Sequence, residues 1–288
     1  MTLVPGSALP QSNHARLLRR LAADPLAAAA LGTLVMLAAG AVFASVLAPY
    51  DPLRIEMTRV MQPPSAAHWF GTDGQGRDIF SRVLFGLRLT GLMGFCAIAI
   101  GGALGTAAGM LAAFYPRLDG LIMRLMDVLL SFPAILFGLA IAAIIGAGTL
   151  SVIIALAIST IPLTARIARG AALTVIAQDY IAAGRVIGLT DTGLLVRYIL
   201  PNCLSTIVVF LTLRLGQAIL LAASLGFLGL GTQPPTPELG TMAAQGINFF
   251  FFAPHVAIIP SLVIFALVLA TNVLGDFLRD ILDPRLRG

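Results

Sequence analysis

The chain has 288 residues, of which 58% are hydrophobic and only 11% are charged, and its formal net charge is +5. A soluble domain carries roughly 25% charged residues, so this composition argues against a soluble protein and favours a chain that folds in a bilayer. All the basic residues are arginines, and they are scattered between apolar segments. The pattern therefore excludes the basic patch that nucleic-acid binding would need.

The first predicted membrane span is residues 25–50, which contain no charge and can cross a hydrocarbon core of about 30 Å. Three arginines precede it, so the tail formed by residues 1–24 is predicted to stay in the cytoplasm. A cleaved signal peptide is the alternative, and it is less favoured because the apolar run is long and further spans follow.

Residues 51–88 are predicted as an extracytoplasmic loop that ends in an interfacial helix. Within this loop the stretch GTDGQGRD, residues 71–78, is rich in glycine and has two carboxylates. It lacks the lysine of a nucleotide-binding loop, and its spacing does not match a calcium loop. Thr72-Asp73 followed by Gly74 is therefore interpreted as a turn and a helix cap.

Residues 89–276 are predicted as a core of five spans. The second span covers about 89–115. Residues 128–165 carry no charge, and a single helix of that length would be about 57 Å long, too long for one crossing. The stretch from Gly146 to Thr149 is the natural turn, which gives a third and a fourth span joined by a tight hairpin.

The fifth span is predicted at about 203–231 and the sixth at about 255–275. Six spans place both termini, including the tail of residues 277–288, on the cytoplasmic side. Most arginines then fall in cytoplasmic segments, as the positive-inside rule requires. The proline-rich stretch QPPTPELG, residues 233–240, is predicted as a rigid outer connector.

Helix packing is predicted from glycines and prolines within the spans. Gly101, Gly105 and Gly109 form a smooth ridge for another helix, in this chain or, less favoured, in a partner subunit. Pro133 and Pro162 lie inside the third and fourth predicted spans, where they would bend the helix and could shape a translocation path.

Charges and metal-ligating residues are few in the spans. Arg214 is the one charge well inside a span, and it is predicted to line a pathway or contact a subunit, with a structural pair as the alternative. Arg124 and Asp127 are predicted to pair at the start of the third span. The two cysteines and three histidines have no spacing typical of a disulfide framework or a metal site.

Residues 179–202 form a polar segment that carries arginines and lies between apolar spans. It contains a predicted helix at about 179–187, a break at Gly188, a turn at 190–193 and Pro201 as its end. Such a unit in an otherwise apolar chain indicates a contact with a soluble protein.

This unit resembles the cytoplasmic coupling loop, the EAA loop, of ABC-importer permeases. Two positions depart from the family pattern: Ala182 stands for the glutamate and Gly184 for the second alanine. A salt bridge from that glutamate therefore cannot be assumed here. The residues assigned to coupling, within a loop at 171–201, are Asp179, Tyr180, Ala182, Ala183, Gly184, Arg185, Gly188 and Pro201.

Four further stretches are similar to the dipeptide, oligopeptide and nickel branch of these permeases, and the chain resembles the second permease of that branch. One departure is Ala222, where relatives often carry a glutamate. The similar stretches are residues 71–88, 127–141, 224–240 and 272–288.

The resemblance implies the type I ABC-importer permease fold: an all-α membrane protein with six transmembrane helices, in the inner membrane of a bacterium. It implies a homologous second permease, two ATPase subunits that bind ATP and Mg, and an extracytoplasmic binding protein. No catalytic residue, metal site or cofactor is expected in this chain. The imported solute, a peptide, a nickel chelate, glutathione or another, is left open.

Two other functions are left open by the residues alone. A secondary carrier would need intramembrane acids for ion coupling and inverted repeats, and the spans hold few acids. A membrane scaffold without transport is the other alternative.

Overall fold

The structure, a computed structural model, describes Leu21 and residues 23–282, and over these residues the fold is all-helical. Most of the predicted cytoplasmic tails, with the arginines before the first span and after residue 282, lies outside the described residues. The helices are α1 (Pro25–Val42), α2 (Ala44–Leu47), α3 (Ile79–Phe114), α4 (Pro116–Leu130), α5 (Ala134–Ile145), α6 (Thr149–Ile176), α7 (Asp179–Val186), α8 (Asp191–Leu194), α9 (Leu200–Phe227), α10 (Leu239–Ile247) and α11 (His255–Leu282).

Five helices in the described part of the chain are long and apolar enough to cross a membrane: α1, α3, α6, α9 with the turns before it, and α11. The pair α4 and α5 passes this test only when it is counted as one span, which gives six. The six predicted crossings therefore agree with the higher of these two counts, and the third of them has an unexpected form.

The third predicted span is two helices that meet at 87°. α5 has 12 residues, so it is about 18 Å long and shorter than the hydrocarbon core. Pro133 was predicted to lie inside a helix, but it lies directly before the first residue of α5. Because proline has no N–H and disfavours a helical residue before it, α4 ends at Leu130 and a new helix starts in another direction.

Several predicted boundaries differ from the structure. α3 begins at Ile79, so the predicted interfacial helix is the first part of the second span's own helix, which has 36 residues. α6 and α11 run past the predicted ends of their spans, to Ile176 and Leu282. The hairpin between α5 and α6 is where predicted, because Gly146 takes a φ of +89° that other residues rarely adopt.

α3 and α6 pack together along the glycine ridge. A methyl group added at Gly101, Gly105 or Gly109 would come within 2.6 Å of a backbone carbonyl oxygen of α6. The two backbones therefore touch without an intervening layer of side chains, and the ridge packs within this chain. Pro162 lies inside α6, as predicted, and is buried.

The long helices have two distinct ends. One end, called the coupling end here, carries α7 and the C-termini of α3 and α6. The opposite end, called the outer end, carries residues 49–78, the α5–α6 hairpin and α10. Each end holds one cluster of the sequence motifs, so each is described separately below.

Candidate functional site

At the coupling end, α7 is a short helix with a defined stop. Gly188 has a φ of +83°, a left-handed conformation that strains any residue with a Cβ. The N–H of Leu189 donates to the carbonyl of Gly184 at 3.0 Å, and the N–H of Gly188 donates to that of Arg185 at 3.1 Å. This pair of hydrogen bonds is the Schellman motif, and it reverses the chain after α7.

One face of α7 is anchored on the long helices. Ile181 is 1% exposed, and Gly184 is buried so closely that an added methyl group would lie 3.0 Å from the side chain of Leu194. α7 is therefore fixed to the ends of three long helices rather than held on a free loop. The buried cluster around Ile181 contains Met110, Ala113, Phe114, Ala168, Ala172, Leu194, Ile199, Cys203 and Ile207.

The opposite face of α7 is exposed and apolar. Ala182 and Ala183 are exposed, and the side chains of Val186 and Ile187 are 87% and 77% exposed. These four residues are called the coupling tip here. An exposed apolar tip of small and branched side chains is typical of a surface that a partner covers. The position where the family carries glutamate, Ala182, lies on this face.

The charged residues of the loop are engaged mainly within the chain. The guanidinium of Arg185 lies 5.3 Å from the ring centre of Phe114 and forms a cation–π contact with it. The hydroxyl of Tyr115 donates to Asp191 at 3.1 Å, and this hydrogen bond raises the pKa of Tyr115. Asp179 lies in the first turn of α7, where a negative charge is favourable.

The sequence predicted that Pro201 ends the loop, and the structure shows that it does not. The helical path runs unbroken from Asp191 to Phe227, with one π turn at Leu195–Ile199. Pro201 has no N–H to offer the carbonyl of Arg197, and the π turn re-pairs the backbone with wider hydrogen bonds such as Leu200 N–H to Leu195 O. The proline therefore shapes the start of α9 instead of ending the unit.

At the same end, α4 is tied to α6 by two ion pairs. Arg169 donates to both carboxylate oxygens of Asp119, at 2.6 and 2.5 Å. Asp127 pairs with Arg166 and not with Arg124, so the predicted pair within the third span is wrong. α4 packs against α6, which brings Arg166 within reach of Asp127.

Arg214 lies in the middle of α9, and few polar groups contact its guanidinium. Its Nη1 donates to Gln217, one turn along the same helix, and its Nε is buried without a partner among the described residues. The sequence reasoning missed Gln217, although its spacing of three residues on a helix was a usable signal. Gln217, Leu220 and Phe227 follow on an exposed stripe of α9. The assignment of Arg214 to a pathway or subunit contact stays a prediction.

The outer end contains a buried carboxylate that the sequence did not reveal. Glu238 is fully buried, and its carboxylate accepts hydrogen bonds from Thr90 at 3.0 Å and from the N–H groups of Gly240 and Thr241. It caps α10, a helix that was not predicted and that begins where the predicted connector, residues 233–240, ends. Glu238 also contacts Gly226, one turn after Ala222, so a carboxylate is present near the position where relatives often carry glutamate.

The stretch of residues 71–78 is a turn held by its own carboxylates. Asp73 accepts from the N–H of Gln75 and pairs with the guanidinium of Arg77 at 2.7 Å. Asp78, and not the predicted Thr72-Asp73, caps the long helix α3, and it also accepts a hydrogen bond from His68 at 2.9 Å. The predicted turn is present, while the cap lies at its other end.

Two family models match the chain. The model described as binding-protein-dependent transport system inner membrane component covers residues 101–288. The model described as N-terminal TM domain of oligopeptide transport permease C covers residues 14–64.

Curated relatives extend this similarity over nearly the whole chain. The glutathione transport system permease protein GsiD of Escherichia coli O6:K15:H31 is 47% identical over 272 residues, which are 94% of this chain and 90% of that protein. GsiD of Pectobacterium atrosepticum is 46% identical over 271 residues, 93% of this chain and 90% of the relative.

Two solved structures share the fold. Both are chains of the MetNI methionine ABC transporter in inward-facing conformations. One has a TM-score of 0.57 and 22% identity, and covers 69% of this chain and 96% of that chain. The other also has a TM-score of 0.57, with 21% identity, 70% of this chain and 97% of that chain. The predicted ABC-importer permease fold is confirmed.

Proposed function

Because this chain belongs to the family of binding-protein-dependent transport system inner membrane components, we propose that it is a permease subunit that imports glutathione or a closely related small peptide. The chain is a multi-pass protein of the inner membrane. The observation that carries the choice of solute is its 47% identity with a glutathione permease over 94% of its length.

The proposed energy coupling rests on α7. The coupling tip enters a cleft on an ATPase subunit, and closure of the ATPase pair on ATP moves α7 as a rigid body. Because Ile181 is packed among the ends of α3, α6 and α9, displacement of α7 moves three membrane helices together. The Schellman turn at Gly188 keeps α7 compact while it is pulled.

The proposed assembly contains a second homologous permease, two ATPase subunits and an extracytoplasmic binding protein. ATP and Mg bind to the ATPase subunits, and this chain contributes no catalytic group. Arg214 faces the pathway or the second permease, since a charge inside the membrane needs a polar cavity or a partner. The break at Pro133 and the proline of α6, Pro162, shape the helices that surround this path.

The solute is tested by uptake of radiolabelled glutathione in cells that lack their own glutathione importers and express the complete transporter. We expect uptake that requires the binding protein and is reduced by excess unlabelled small peptides. Absence of glutathione uptake would refute the proposed solute. Uptake that persists after ATP depletion would instead favour the secondary carrier.

The coupling role is tested at Gly188 in the same transporter. Gly188→Trp should abolish uptake while the complex still assembles, because it adds bulk and strain at the turn beside the coupling tip. Gly188→Asn is the matched control, since asparagine tolerates a positive φ and is small. Normal uptake by the tryptophan variant would contradict the assignment of α7 to coupling.

A further inference from the structure

A cavity of about 300 Å³ lies at the outer end, between residues 73–77, the start of α3, and α10 with the residues after it. Four of its lining residues are apolar: Ile79, Met242, Phe249 and Val256. The polar lining residues are Asp73, Gln75, Arg77, Arg82, Gln245 and Asn248.

The polar lining residues of this cavity have an excess of positive charge. The side chains of Arg77 and Arg82 are only 4% and 2% exposed, and both pair with the same carboxylate, that of Asp73. Two arginines and one aspartate leave one positive charge uncompensated. The next carboxylate along the chain, Asp78, does not line the cavity and is bonded to His68. A buried surplus charge of this kind is costly unless an anion or water reaches it.

Hydrogen-bond donors remain available in the cavity. Arg77 uses its Nε for Asp73, and no hydrogen bond to its two terminal nitrogens is found in the described part of the chain. Arg82 uses its Nη1 for the carbonyls of Pro52 at 3.0 Å and Pro235 at 3.4 Å. The side-chain amides of Gln245 and Asn248 line the same space without hydrogen bonds to other described residues. Guanidinium and amide groups thus line one small volume.

We propose that this cavity is a carboxylate-binding site that holds an acidic end of the transported solute at the outer face, before the solute enters the membrane path. Planar guanidinium groups match the geometry of a carboxylate and bind it with two parallel hydrogen bonds. The apolar lining residues contact the aliphatic part next to the carboxylate. The volume lies at the lower end of the range for small-molecule sites. The inference rests on the proposed function, since it takes a peptide with free carboxylates as the solute.

The test is a calorimetric titration of the complete transporter, purified in lipid nanodiscs without its binding protein. The probes are reduced glutathione and its diethyl ester, in which both carboxylates are blocked. We expect glutathione to bind and the diester to bind at least about tenfold more weakly, because charged hydrogen bonds are lost. For a transporter that imports glutathione, equal affinity for the two probes, or no binding of either, would overturn the site.

A charge variant locates the binding in the cavity. Gln245→Glu places a carboxylate beside the arginines without changing the size of the side chain, and should weaken glutathione binding about tenfold or more. Gln62→Glu is the matched control, since it adds the same charge at the outer end outside the cavity and should leave the affinity unchanged. Equal affinity of Gln245→Glu and wild type would contradict the inference.

Two further measurements separate this site from its alternatives. If Gln245→Glu weakens docking of the solute-free binding protein but not the glutathione titration, the cavity takes a protein carboxylate and the inference fails. If the wild-type transporter imports no glutathione, the titration is repeated with dialanine and dialanine amide. A preference for the acid then supports the site independently of the solute proposed above, and no preference refutes it.

Discussion

The two ends of the molecule differ in how far their carboxylates and their polar pairs are buried. At the outer end, carboxylates are buried and bonded within the chain, as in the contacts of Glu238 with Thr90 and of Asp78 with His68. At the coupling end, the polar pairs are more exposed and the branched side chains of Val186 and Ile187 face outward. The outer end therefore satisfies these carboxylates within the chain, whereas the coupling tip needs a partner to cover it.

This difference has an energetic consequence. A buried carboxylate with several hydrogen bonds stabilises the fold, and its removal leaves unsatisfied donors in a low-dielectric site. An exposed apolar side chain contributes little to folding but much to association. Substitutions of the buried carboxylates at the outer end should therefore affect stability, and substitutions at the coupling tip should affect transport alone.

The largest expected effect is at Glu238. Glu238→Ala should lower the free energy of unfolding by about 3 kcal/mol or more, because three donors lose their acceptor. The measurement is the thermal unfolding midpoint of the purified protein. Glu56→Ala is the control, since Glu56 forms ion pairs with the exposed arginines Arg54 and Arg59 and should cost at most about 1 kcal/mol. Similar decreases of the unfolding midpoint in both variants would contradict the stabilising role of the buried carboxylate.

An intermediate effect is expected at the coupling tip. Val186→Asp should reduce ATP-dependent uptake about tenfold or more, because an unpaired charge would be buried in the partner's cleft. Its unfolding midpoint should equal that of the wild type, since this side chain is exposed in the chain alone. Val186→Ala, which keeps an apolar surface, should retain most of the uptake. A lowered midpoint for Val186→Asp would mean that the tip belongs to the folded core.

The smallest effect is expected at Tyr115, whose hydroxyl donates to Asp191. Tyr115→Phe should lower the unfolding midpoint slightly, since the bond is exposed. The bond raises the pKa of Tyr115, so its stabilisation is fully present below the ordinary value of about 10 and is lost as the pH rises through the raised value. The difference between variant and wild type should therefore be constant at neutral pH and vanish only in strong alkali. A difference that already changes near neutral pH would contradict this.

The elements that the sequence predicted well depend on local signals. The run lengths of apolar residues predicted the five long apolar helices, because each crossing must span about 30 Å of hydrocarbon, and the sixth crossing only if α4 and α5 form one span. Gly188 predicted the stop of α7, since a glycine after an amphipathic turn commonly ends a helix. The glycines at 101, 105 and 109 predicted a close helix contact, which the structure places against α6.

The elements that it missed depend on distant contacts or on direction. Hydropathy does not report the direction of a helix, so residues 116–145 gave no sign of the 87° bend. For the same reason Pro133 was interpreted as a bend inside one helix. α10 was missed because its cap, Glu238, is satisfied by Thr90, far away in the chain. The outer cavity was missed for the same reason, since its two sides come from the first and last thirds of the sequence.

The glycine ridge between α3 and α6 limits which parts of the molecule can rearrange. Backbones that touch directly have no side-chain rotamers to exchange, so the two helices cannot slide without separating first. They should move as one rigid body, so that a displacement at one membrane surface is transmitted to the other. Any hinge of the transport cycle must then lie elsewhere, and the right-angled joint before α5 is the place where the backbone is already interrupted.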